Sequence, residues 1–515
     1  MNTKHLFPLL LLPFLFVACA QASLSPPAAT ATDPGSATIA PTEPPTAAAG
    51  IEPTSTAERL PGSSSTLLRD GEGQNSAWRA IGRLYGSSTC TASFIASSGE
   101  PTAPAYALTN GHCIEWQANG VVVLPEAGGE LIFNFFIDTQ ESQISVPVKS
   151  VPYSTMQGAD IAIIELDATL GELMAQGLQP LSLADRPLVE ASDVFVIGAP
   201  SSGLPEDESF LRLENCRLAG QVDLIEFNWH FYDTYRTNCQ DIFGGSSGSP
   251  LFSAQENTIA AIINTTVEGI SPCYLGVPCE IGLDGGRPKP GNSYAIPVHG
   301  LSRCFDAAGK FSLAADCPLP PGQGLTFDSF SPVGRPPLTW SATLTGRLPY
   351  YRYKSGALGK VDCRSTENYS DPIAVSAAPT IDDPLPAQEG FYLLCVLAGP
   401  QATLDESWQS PDHPTVMIAQ IDTTPPLLEP QVLVRERGDA YQIDLVFEPP
   451  ELSDYIFKFG PPDLTDCADE AHYERFRRIP PMIEKKDLPA RLCVIAFDHA
   501  GNPTQPFEQL LSAPQ

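Results

Sequence analysis

Short apolar segments bounded by glycine, proline, asparagine or aspartate constrain the fold of this sequence more than any other feature. Examples are Ala105–Thr109, Ile161–Leu166 and Ile259–Ile263. The chain has 52 prolines and 40 glycines among its 515 residues, and both residue types interrupt helices. Apolar runs of this length with such boundaries are typical of β-strands. The sequence therefore predicts an all-β protein.

Composition and length divide the chain into consecutive segments, because 515 residues are too many for one hydrophobic core. Residues 20–74, here called the tether, contain few aromatic residues and cannot bury enough apolar surface to fold. A proline-rich joint begins at Pro318. The predicted segments are a lipoprotein-type signal peptide (1–19), a disordered Pro/Ala/Thr/Ser-rich tether (20–74), a first β domain (75–318) and two β-sandwich repeats (319–424 and 425–515).

The N-terminus predicts export from the cytoplasm. Lys4 precedes the apolar run Leu6–Val17, which is too short for a stable membrane span and is typical of a signal peptide. Cys19 closely follows this run, as in a bacterial lipobox, and would become the lipidated first residue. The alternative is ordinary cleavage after Ala20–Ala22. The first alternative predicts a cell-surface or outer-membrane lipoprotein, and the second a secreted protein.

The charge of the chain excludes some classes of partner. The formal net charge is −31 and the isoelectric point is near 4.4, so the protein repels nucleic acid and anionic lipid. We expect no nucleic-acid partner and no membrane contact except through a lipid anchor at Cys19. We also expect no cofactor.

The cysteines predict disulfides. Of the 13 cysteines, 12 remain when Cys19 is set aside, and an oxidising compartment favours disulfide formation. No Cys-x-x-Cys pair or Cys/His cluster indicates a metal site, and we expect no metal. Sequence alone does not fix connectivity. Spacing favours sequential pairs, namely Cys90–Cys113, Cys216–Cys239, Cys273–Cys279, Cys304–Cys317, Cys363–Cys395 and Cys467–Cys493.

The C-terminal region contains an internal repeat with a period of about 100 residues, the size of a β-sandwich module. The motif YRYKSG…VDC…NY recurs as YIFKFG…TDC…HY. The modules resemble the immunoglobulin-like repeats of bacterial surface proteins. They could recognise a polymer or a partner protein, but a spacer is favoured because the sequence indicates no exposed aromatic cluster. The recurring positions are Tyr353, Cys363 and Tyr369 in the first copy, and Tyr455, Cys467 and Tyr473 in the second.

Three short stretches carry candidate chemistry, and each also has a plain structural interpretation. His112 in TNGHC could be a surface-loop histidine, and Asp160 in GADIAIIEL could cap a turn at the start of a buried strand. Ser247 lies in GGSSGSPLF, which could be a linker, although it runs directly into an apolar segment. Glycines in that stretch allow a tight turn, and the N–H groups of Gly245 and Ser247 could then form an oxyanion hole.

Together the three stretches predict nucleophilic catalysis. A serine hydroxyl needs a base to take its proton, histidine is suited to that exchange near neutral pH, and a carboxylate fixes the histidine tautomer. The order His112, Asp160, Ser247 is the chymotrypsin order and differs from that of subtilisins and α/β-hydrolases. TNGHC, DIAIIEL and GGSSGSPLF resemble the signature segments of chymotrypsin-like (trypsin-like) serine endopeptidases, particularly the bacterial glutamyl-endopeptidase-like branch.

The resemblance covers about residues 76–305. It implies two six-stranded β-barrels with the three residues as a catalytic triad between them, and protein or peptide substrates. Ser246 stands where animal members carry an aspartate that receives the new N-terminus after cleavage. That activation mechanism is therefore not expected here. The alternative function is a catalytically silent surface adhesin that binds through the C-terminal repeats.

The resemblance also suggests substrate-binding residues. Asp241 stands six positions before Ser247, where trypsin-like relatives carry the carboxylate that selects Lys or Arg. It could instead cap the loop after Cys239. The pocket histidine of glutamyl-specific relatives has no counterpart in this stretch. The remaining predicted wall of the pocket consists of Asn264, Thr265 and Thr266.

Overall fold

The computed structural model confirms the all-β class, with 45% strand and 6% helix. The signal peptide, Cys19 and the tether up to residue 64 lie outside the described residues. Within the described residues, no helix combines the length and apolarity needed to cross a membrane. The structure describes residues 65–115, 120–268, 272–314, 316–322, 324–329, 331–426, 430–446, 452–476 and 480–512.

The first barrel is a ring of six antiparallel strands in the order β7-β6-β2-β3-β4-β8, which closes because β8 pairs with β7. Strand β5 adds to the free edge of β7. Alternate side chains along these strands point inward and fill the barrel with apolar residues. The elements of this region are β1 (Thr66–Leu67), β2 (Ile81–Tyr85), β3 (Thr89–Ile95), β4 (Pro104–Thr109), α1 (His112–Glu115), β5 (Val121–Leu124), β6 (Glu130–Phe133), β7 (Ile144–Thr155), β8 (Ile161–Thr169) and α2 (Leu170–Ala175).

The second barrel closes in the order β9-β10-β11-β16-β13-β12. The β14–β15 hairpin extends the sheet from β10, and β1 pairs with the same strand. An apolar cluster that includes Tyr106 of the first barrel and Tyr294 of the second lies between the barrels. The strands of this barrel are β9 (Asp193–Gly198), β10 (Arg212–Glu226), β11 (Trp229–Thr237), β12 (Pro250–Ser253), β13 (Ile259–Thr266), β14 (Cys279–Gly282), β15 (Gly285–Pro288) and β16 (Ser293–Pro297).

The folded region begins earlier than composition predicted. The expected tether reaches residue 74, but Leu67 and Leu68 are buried and β1 pairs with β10. The buried carboxylate of Asp70 accepts a hydrogen bond from the N–H of Asn75 at 2.7 Å. At the other boundary, the hydroxyl of Tyr153 donates to the carbonyl of Pro320 at 3.0 Å. The two buried leucines and the strand pairing together join this otherwise polar segment to the fold.

The C-terminal region consists of two β-sandwiches, each with its own apolar core. The first packs the sheet β17-β19-β22 on β18-β24-β23-β20-β21, and the second packs β25-β26-β29 on β28-β27-β30-β31. The strands are β17 (Leu325–Phe327), β18 (Val333–Gly334), β19 (Ala342–Gly346), β20 (Tyr350–Ala357), β21 (Ile373–Ala374), β22 (Thr380–Ile381), β23 (Gly390–Gly399), β24 (Thr415–Ile421), β25 (Gln431–Arg437), β26 (Ala440–Val446), β27 (Leu452–Gly460), β28 (Glu474–Arg475), β29 (Met482–Glu484), β30 (Ala490–Asp498) and β31 (Phe507–Leu511).

The repeated sequence motif has a repeated structural role. In the first sandwich the ammonium of Lys354 lies 4.3 Å from the ring centroid of Tyr369, and the Tyr369 hydroxyl donates to the carbonyl of Cys363 at 2.8 Å. In the second, Lys458 lies 4.5 Å from the ring of Tyr473, whose hydroxyl donates to Cys467 O at 2.9 Å. The motif therefore fixes the loop that follows a strand in each sandwich.

The twelve described cysteines form six disulfides in the sequential order that their spacing favours. Each joins a strand or loop to a neighbouring element, and in the two sandwiches it ties the motif loop to the central strand. The bridges are Cys90–Cys113, Cys216–Cys239, Cys273–Cys279, Cys304–Cys317, Cys363–Cys395 and Cys467–Cys493.

Arg83 links the two barrels through buried hydrogen bonds. Its guanidinium donates to the carbonyls of Pro200 and Ser209, both at 2.6 Å, and lies 4.5 Å from the ring centroid of Phe135. Arg83→Ala leaves these buried carbonyls without their donor, and we expect the free energy of unfolding of the barrel pair to fall by about 3 kcal/mol.

Chemical denaturation, monitored by intrinsic fluorescence, measures this decrease in the free energy of unfolding. Arg186→Ala is the control, because the Arg186 side chain is 82% exposed and its ion pair with Glu256 contributes less than about 1 kcal/mol. Equal stability of the two variants would contradict a linking role for Arg83.

Candidate active site

His112 and Asp160 form a close pair at the groove between the barrels. His112 begins α1, and Asp160 directly precedes β8. The Nδ1 atom of His112 lies 2.6 Å from Oδ2 of Asp160, and the His112 backbone N–H donates to Oδ1 at 2.9 Å. Asn110 donates to the backbone carbonyl of Asp160 at 2.8 Å. Asp160 is fully buried, and the two bonds from His112 satisfy its carboxylate in an environment that water does not reach.

Ser247 lies in the loop before β12, on the second barrel. Its backbone carbonyl accepts a hydrogen bond from the N–H of Thr91, on the first barrel, at 2.8 Å. Gly248 has a φ of +81°, and a Cβ at this position would lie 2.2 Å from the carbonyl oxygen of Thr91. Only glycine fits there. Ser247 and His112 line the same cleft, with no direct hydrogen bond between their side chains among the described contacts.

The loop before Ser247 orients two backbone N–H groups. The carbonyl of Gly244 accepts hydrogen bonds from the N–H of Ser201 at 2.7 Å and of Ser202 at 3.1 Å. In a trans peptide the N–H of Gly245 points opposite to that carbonyl. Within the described part of the chain, the N–H groups of Gly245 and Ser247 have no hydrogen-bond acceptor. They are therefore available to a negatively charged oxygen.

Thr91 is a supporting residue that the sequence did not reveal. Its hydroxyl donates to the carbonyl of Gly245 at 2.9 Å and accepts from the N–H of Ala199 at 3.0 Å. Its carbonyl accepts from the hydroxyl of Thr109 at 2.9 Å. Its neighbour Cys90 forms the disulfide that holds the histidine segment. Thr91 thus connects the histidine side of the groove to the serine side.

The cleft between the barrels has a volume of about 330 Å³. Apolar atoms contribute most of its exposed lining, and polar side chains contribute the rest. Asn264, Thr265 and Thr266, predicted from sequence as substrate-binding, all line it. The other lining residues are Ser88, Met156, Asp160, Glu226, Trp229, Phe231, Ile242, Phe243, Gly244, Glu268, Leu275 and Gly276.

Asp241 is the predicted binding residue that the structure does not bring to the cleft wall. Its Oδ2 accepts a hydrogen bond from the N–H of the buried Ser65 at 2.7 Å. Its own N–H donates to Glu214 at 3.2 Å. This contact joins the Asp241 carboxylate to the N-terminal segment, which composition had assigned to the tether. The loop-orienting alternative considered for Asp241 describes this arrangement better.

Glu226 and Glu268 are the cleft carboxylates that sequence reasoning missed. Glu226 ends β10 and is 7% exposed, and its Oε1 accepts hydrogen bonds from Thr265 Oγ1 at 3.1 Å and Gly276 N at 2.8 Å. Burial raises the pKa of Glu226 to about 7, and it also raises the pKa of Glu268. Among the described lining residues there is no lysine or arginine. The only sequence signal was one glutamate after two apolar strand residues.

The charge environment favours a protonated His112. Desolvation lowers the pKa of His112, but the charge and hydrogen bond of Asp160, together with the charge of Glu226, raise it by more. The net pKa lies above the ordinary value of 6.5. With Asp160 holding Nδ1–H, the neutral ring presents a basic Nε2.

A pH titration of the histidine ring protons by NMR tests this electrostatic balance. We expect the His112 ring to titrate above its ordinary value of 6.5, and in Asp160→Asn its pKa should fall because desolvation then acts with less opposition. His112→Gln identifies the signal among the seven histidines. A pKa that Asp160→Asn leaves unchanged would show that the pair does not set the charge of His112.

Comparison with known proteins agrees with this geometry. Residues 90–262 match the model of the trypsin-like peptidase domain, and the match contains His112, Asp160 and Ser247. No curated protein sequence matches the chain.

Solved structures are similar over less than half of the chain. The thermostable serine protease AL20 from an extremophilic microorganism is 13% identical over 44% of this chain and 95% of its own, with a TM-score of 0.30. A Glu endopeptidase in complex with MPD is 15% identical over 44% and 87%, with a TM-score of 0.29. Protease Anisep from Arthrobacter nicotinovorans is 12% identical over 45% and 96%, with a TM-score of 0.30. The family match supports a trypsin-like peptidase domain at residues 90–262 and, with it, a serine endopeptidase.

Proposed function

We propose that the chain cleaves peptide bonds with Ser247 as nucleophile, His112 as general base and acid, and Asp160 as the group that orients His112. The contact of 2.6 Å between Nδ1 of His112 and Oδ2 of Asp160, in a cleft shared with Ser247, carries this proposal. Asp160 holds the Nδ1–H tautomer, so the Nε2 lone pair faces the nucleophile's side of the cleft and can accept its proton.

The reaction follows from these roles. Ser247 Oγ forms a bond to the carbonyl carbon of the substrate while His112 takes its proton, and the carbonyl oxygen becomes negative. The N–H groups of Gly245 and Ser247 stabilise that oxygen. The C–N bond then breaks, the amine leaves with the proton from His112, and an acyl-enzyme remains. Water, deprotonated by His112, hydrolyses the ester and restores Ser247.

The hydrogen bond between Ser247 and His112 would form when substrate enters. Catalytic hydrogen bonds are often long in enzymes without substrate and tighten in the complex. The serine loop is held by Thr91 and the histidine segment by the Cys90–Cys113 bridge, so the two segments are fixed on opposite sides of one cleft.

An active-site fluorophosphonate tests the nucleophile. Ser247 Oγ attacks phosphorus, fluoride leaves, and the proton passes to His112. We expect the wild-type chain to be labelled and Ser247→Ala to be unlabelled, with peptide hydrolysis lowered by about 10⁴-fold or more. A full-length wild-type chain that takes no label would instead favour the silent adhesin, with binding by the C-terminal repeats.

The cleft favours substrates that carry a cationic side chain. Glu226 and Glu268 line the cleft beside apolar Met156, Trp229 and Leu275. A buried carboxylate is costly unless it is paired. His112 is the only basic side chain among the described lining residues, and a lysine or arginine of the substrate would supply a further positive charge. We therefore propose that the preference depends on Glu226 and not on Asp241, and that acidic side chains, which glutamyl-specific relatives accept, bind poorly.

Peptides that differ only by arginine or citrulline test this preference, because citrulline has the shape of arginine without its charge. We expect Glu226→Gln to lower the arginine-to-citrulline ratio of kcat/KM by about tenfold, while Asp241→Asn leaves it unchanged. Because the pKa of Glu226 is about 7, the wild-type ratio should rise as the pH increases through that value. If Asp241→Asn lowered the ratio and Glu226→Gln left it unchanged, Asp241 and not Glu226 would determine the preference.

We also infer export and surface anchoring. The six disulfides suit an oxidising compartment, and Cys19 supplies the site for a lipid anchor. An immunoglobulin-like origin of the repeats and a place in the glutamyl-endopeptidase-like branch are part of the same proposal. Metabolic labelling with a fatty-acid analogue, with Cys19→Ser as control, tests the anchor, since a secreted chain would take no label.

A further inference from the structure

One wall of the cleft is formed by two segments of the second barrel, here called the cleft wall. The first segment is the β10–β11 turn, which supplies Glu226 and Trp229. The second is the loop closed by the Cys273–Cys279 bridge, which supplies Leu275 and Gly276. The segments are joined by the hydrogen bond from Gly276 N to Glu226. The position of this wall determines the shape of the cleft on that side.

The first sandwich binds the back of the cleft wall through Arg364. Its guanidinium contacts Asp233 at 2.5 Å and Asp223 at 3.2 Å, and lies 4.6 Å from the ring centroid of Tyr232. Asp223 and Asp233 lie on opposite strands of the hairpin that carries Glu226. The carboxylates of Asp223 and Asp233 repel each other, so a cation between them stabilises the hairpin. Arg364 therefore closes the hairpin from outside the peptidase domain.

Apolar packing also joins the first sandwich to the second barrel. The bridge Cys273–Cys279 and Ile225 share a buried cluster with residues of the first sandwich. A Cβ built on Gly359 would lie 2.0 Å from the carbonyl oxygen of Gly282, so the backbones of the sandwich and the β14–β15 hairpin are in direct contact. Burial of this surface favours association by about 25 cal/mol per Å². The sandwich members of the cluster are Leu358, Cys363, Tyr369, Leu393, Cys395, Leu397 and Ile418.

Two further contacts join the sandwiches to loops that line the cleft. Gln157, in the loop that leads to Asp160, donates to Pro414 O at 3.0 Å and to Thr415 Oγ1 at 3.1 Å. The ring of Tyr274 stacks on that of His499, from the second sandwich, with centroids 4.7 Å apart. Both sandwiches therefore contact loops that carry cleft residues, which a spacer would not require.

We propose that the first sandwich completes the peptidase by holding the cleft wall, and that Arg364 is the positioning residue through which it does so. This inference rests on the proposed peptide cleavage for its kinetic consequence. Glu226 and Trp229 meet the substrate but Arg364 does not, so the sandwich acts on binding of extended peptides and leaves the chemistry of Ser247 intact. The functional unit is the peptidase domain together with the first repeat.

Kinetics of the full-length chain test the proposal. In Arg364→Ala we expect KM for an extended peptide to rise about tenfold, because a displaced wall binds substrate poorly. The rate of labelling by a small fluorophosphonate, which does not reach the wall, should stay within about twofold of the wild-type rate. Arg364→Lys should recover part of the loss. Arg347→Ala, which removes an exposed arginine of the same sandwich, is the control and should match the wild type.

Hydrogen exchange gives a measure that does not depend on activity. In Arg364→Ala the amides of residues 224–231 and 272–279 should exchange faster than in Arg347→Ala, because the hairpin loses its outer contact. Unchanged exchange and unchanged KM would overturn the inference, and so would an equal loss of labelling and peptide cleavage. If the wild-type chain takes no label, the proposed peptide cleavage is wrong. Faster exchange in Arg364→Ala would still support the inference that the first sandwich positions the cleft wall.

Discussion

The hydrogen bonds of Thr91 hold the two barrels in the arrangement that creates the cleft. This one residue contacts the carbonyls of Ser247 and Gly245 on one side and the hydroxyl of Thr109 on the other. It is fully buried, so each of these bonds forms away from competing water and a missing partner would be costly. The segment that contains Gly245 and Ser247 is therefore joined to the first barrel through its backbone carbonyls.

The electrostatics of the cleft follow from the same burial. Asp160 raises the pKa of His112 against the effect of desolvation, and Glu226 adds to it. Glu226 and Glu268 add carboxylates to the described walls, where His112 is the only basic side chain, in a protein whose net charge is already −31. A cationic group from a substrate would supply further counter-charge to these carboxylates.

The C-terminal repeats contribute more than length to the molecule. Each has its own core, yet the first also shares a buried cluster with the disulfide loop of the second barrel. Arg364 of the first sandwich forms ion pairs with Asp223 and Asp233. These ion pairs link the sandwich to the hairpin beside the cleft. The proposed role in substrate binding follows from where that hairpin ends, since its tip is part of the cleft wall.

The sequence by itself determined what depends on local pattern. The strand-like runs, the motifs around His112, Asp160 and Ser247, the sequential cysteine pairs and the Lys–Cys–Tyr motif of the repeats are all encoded over short stretches, because strand periodicity, tight glycine turns and short disulfide loops are local properties. Tertiary structure decided which distant group each charged side chain contacts. Asp241 turns to Ser65, Glu226 reaches the cleft and Arg364 reaches the hairpin. These pairings join residues 39 to 176 positions apart, and no local pattern specifies which distant partner a single carboxylate or guanidinium will find when the barrels and sandwiches pack.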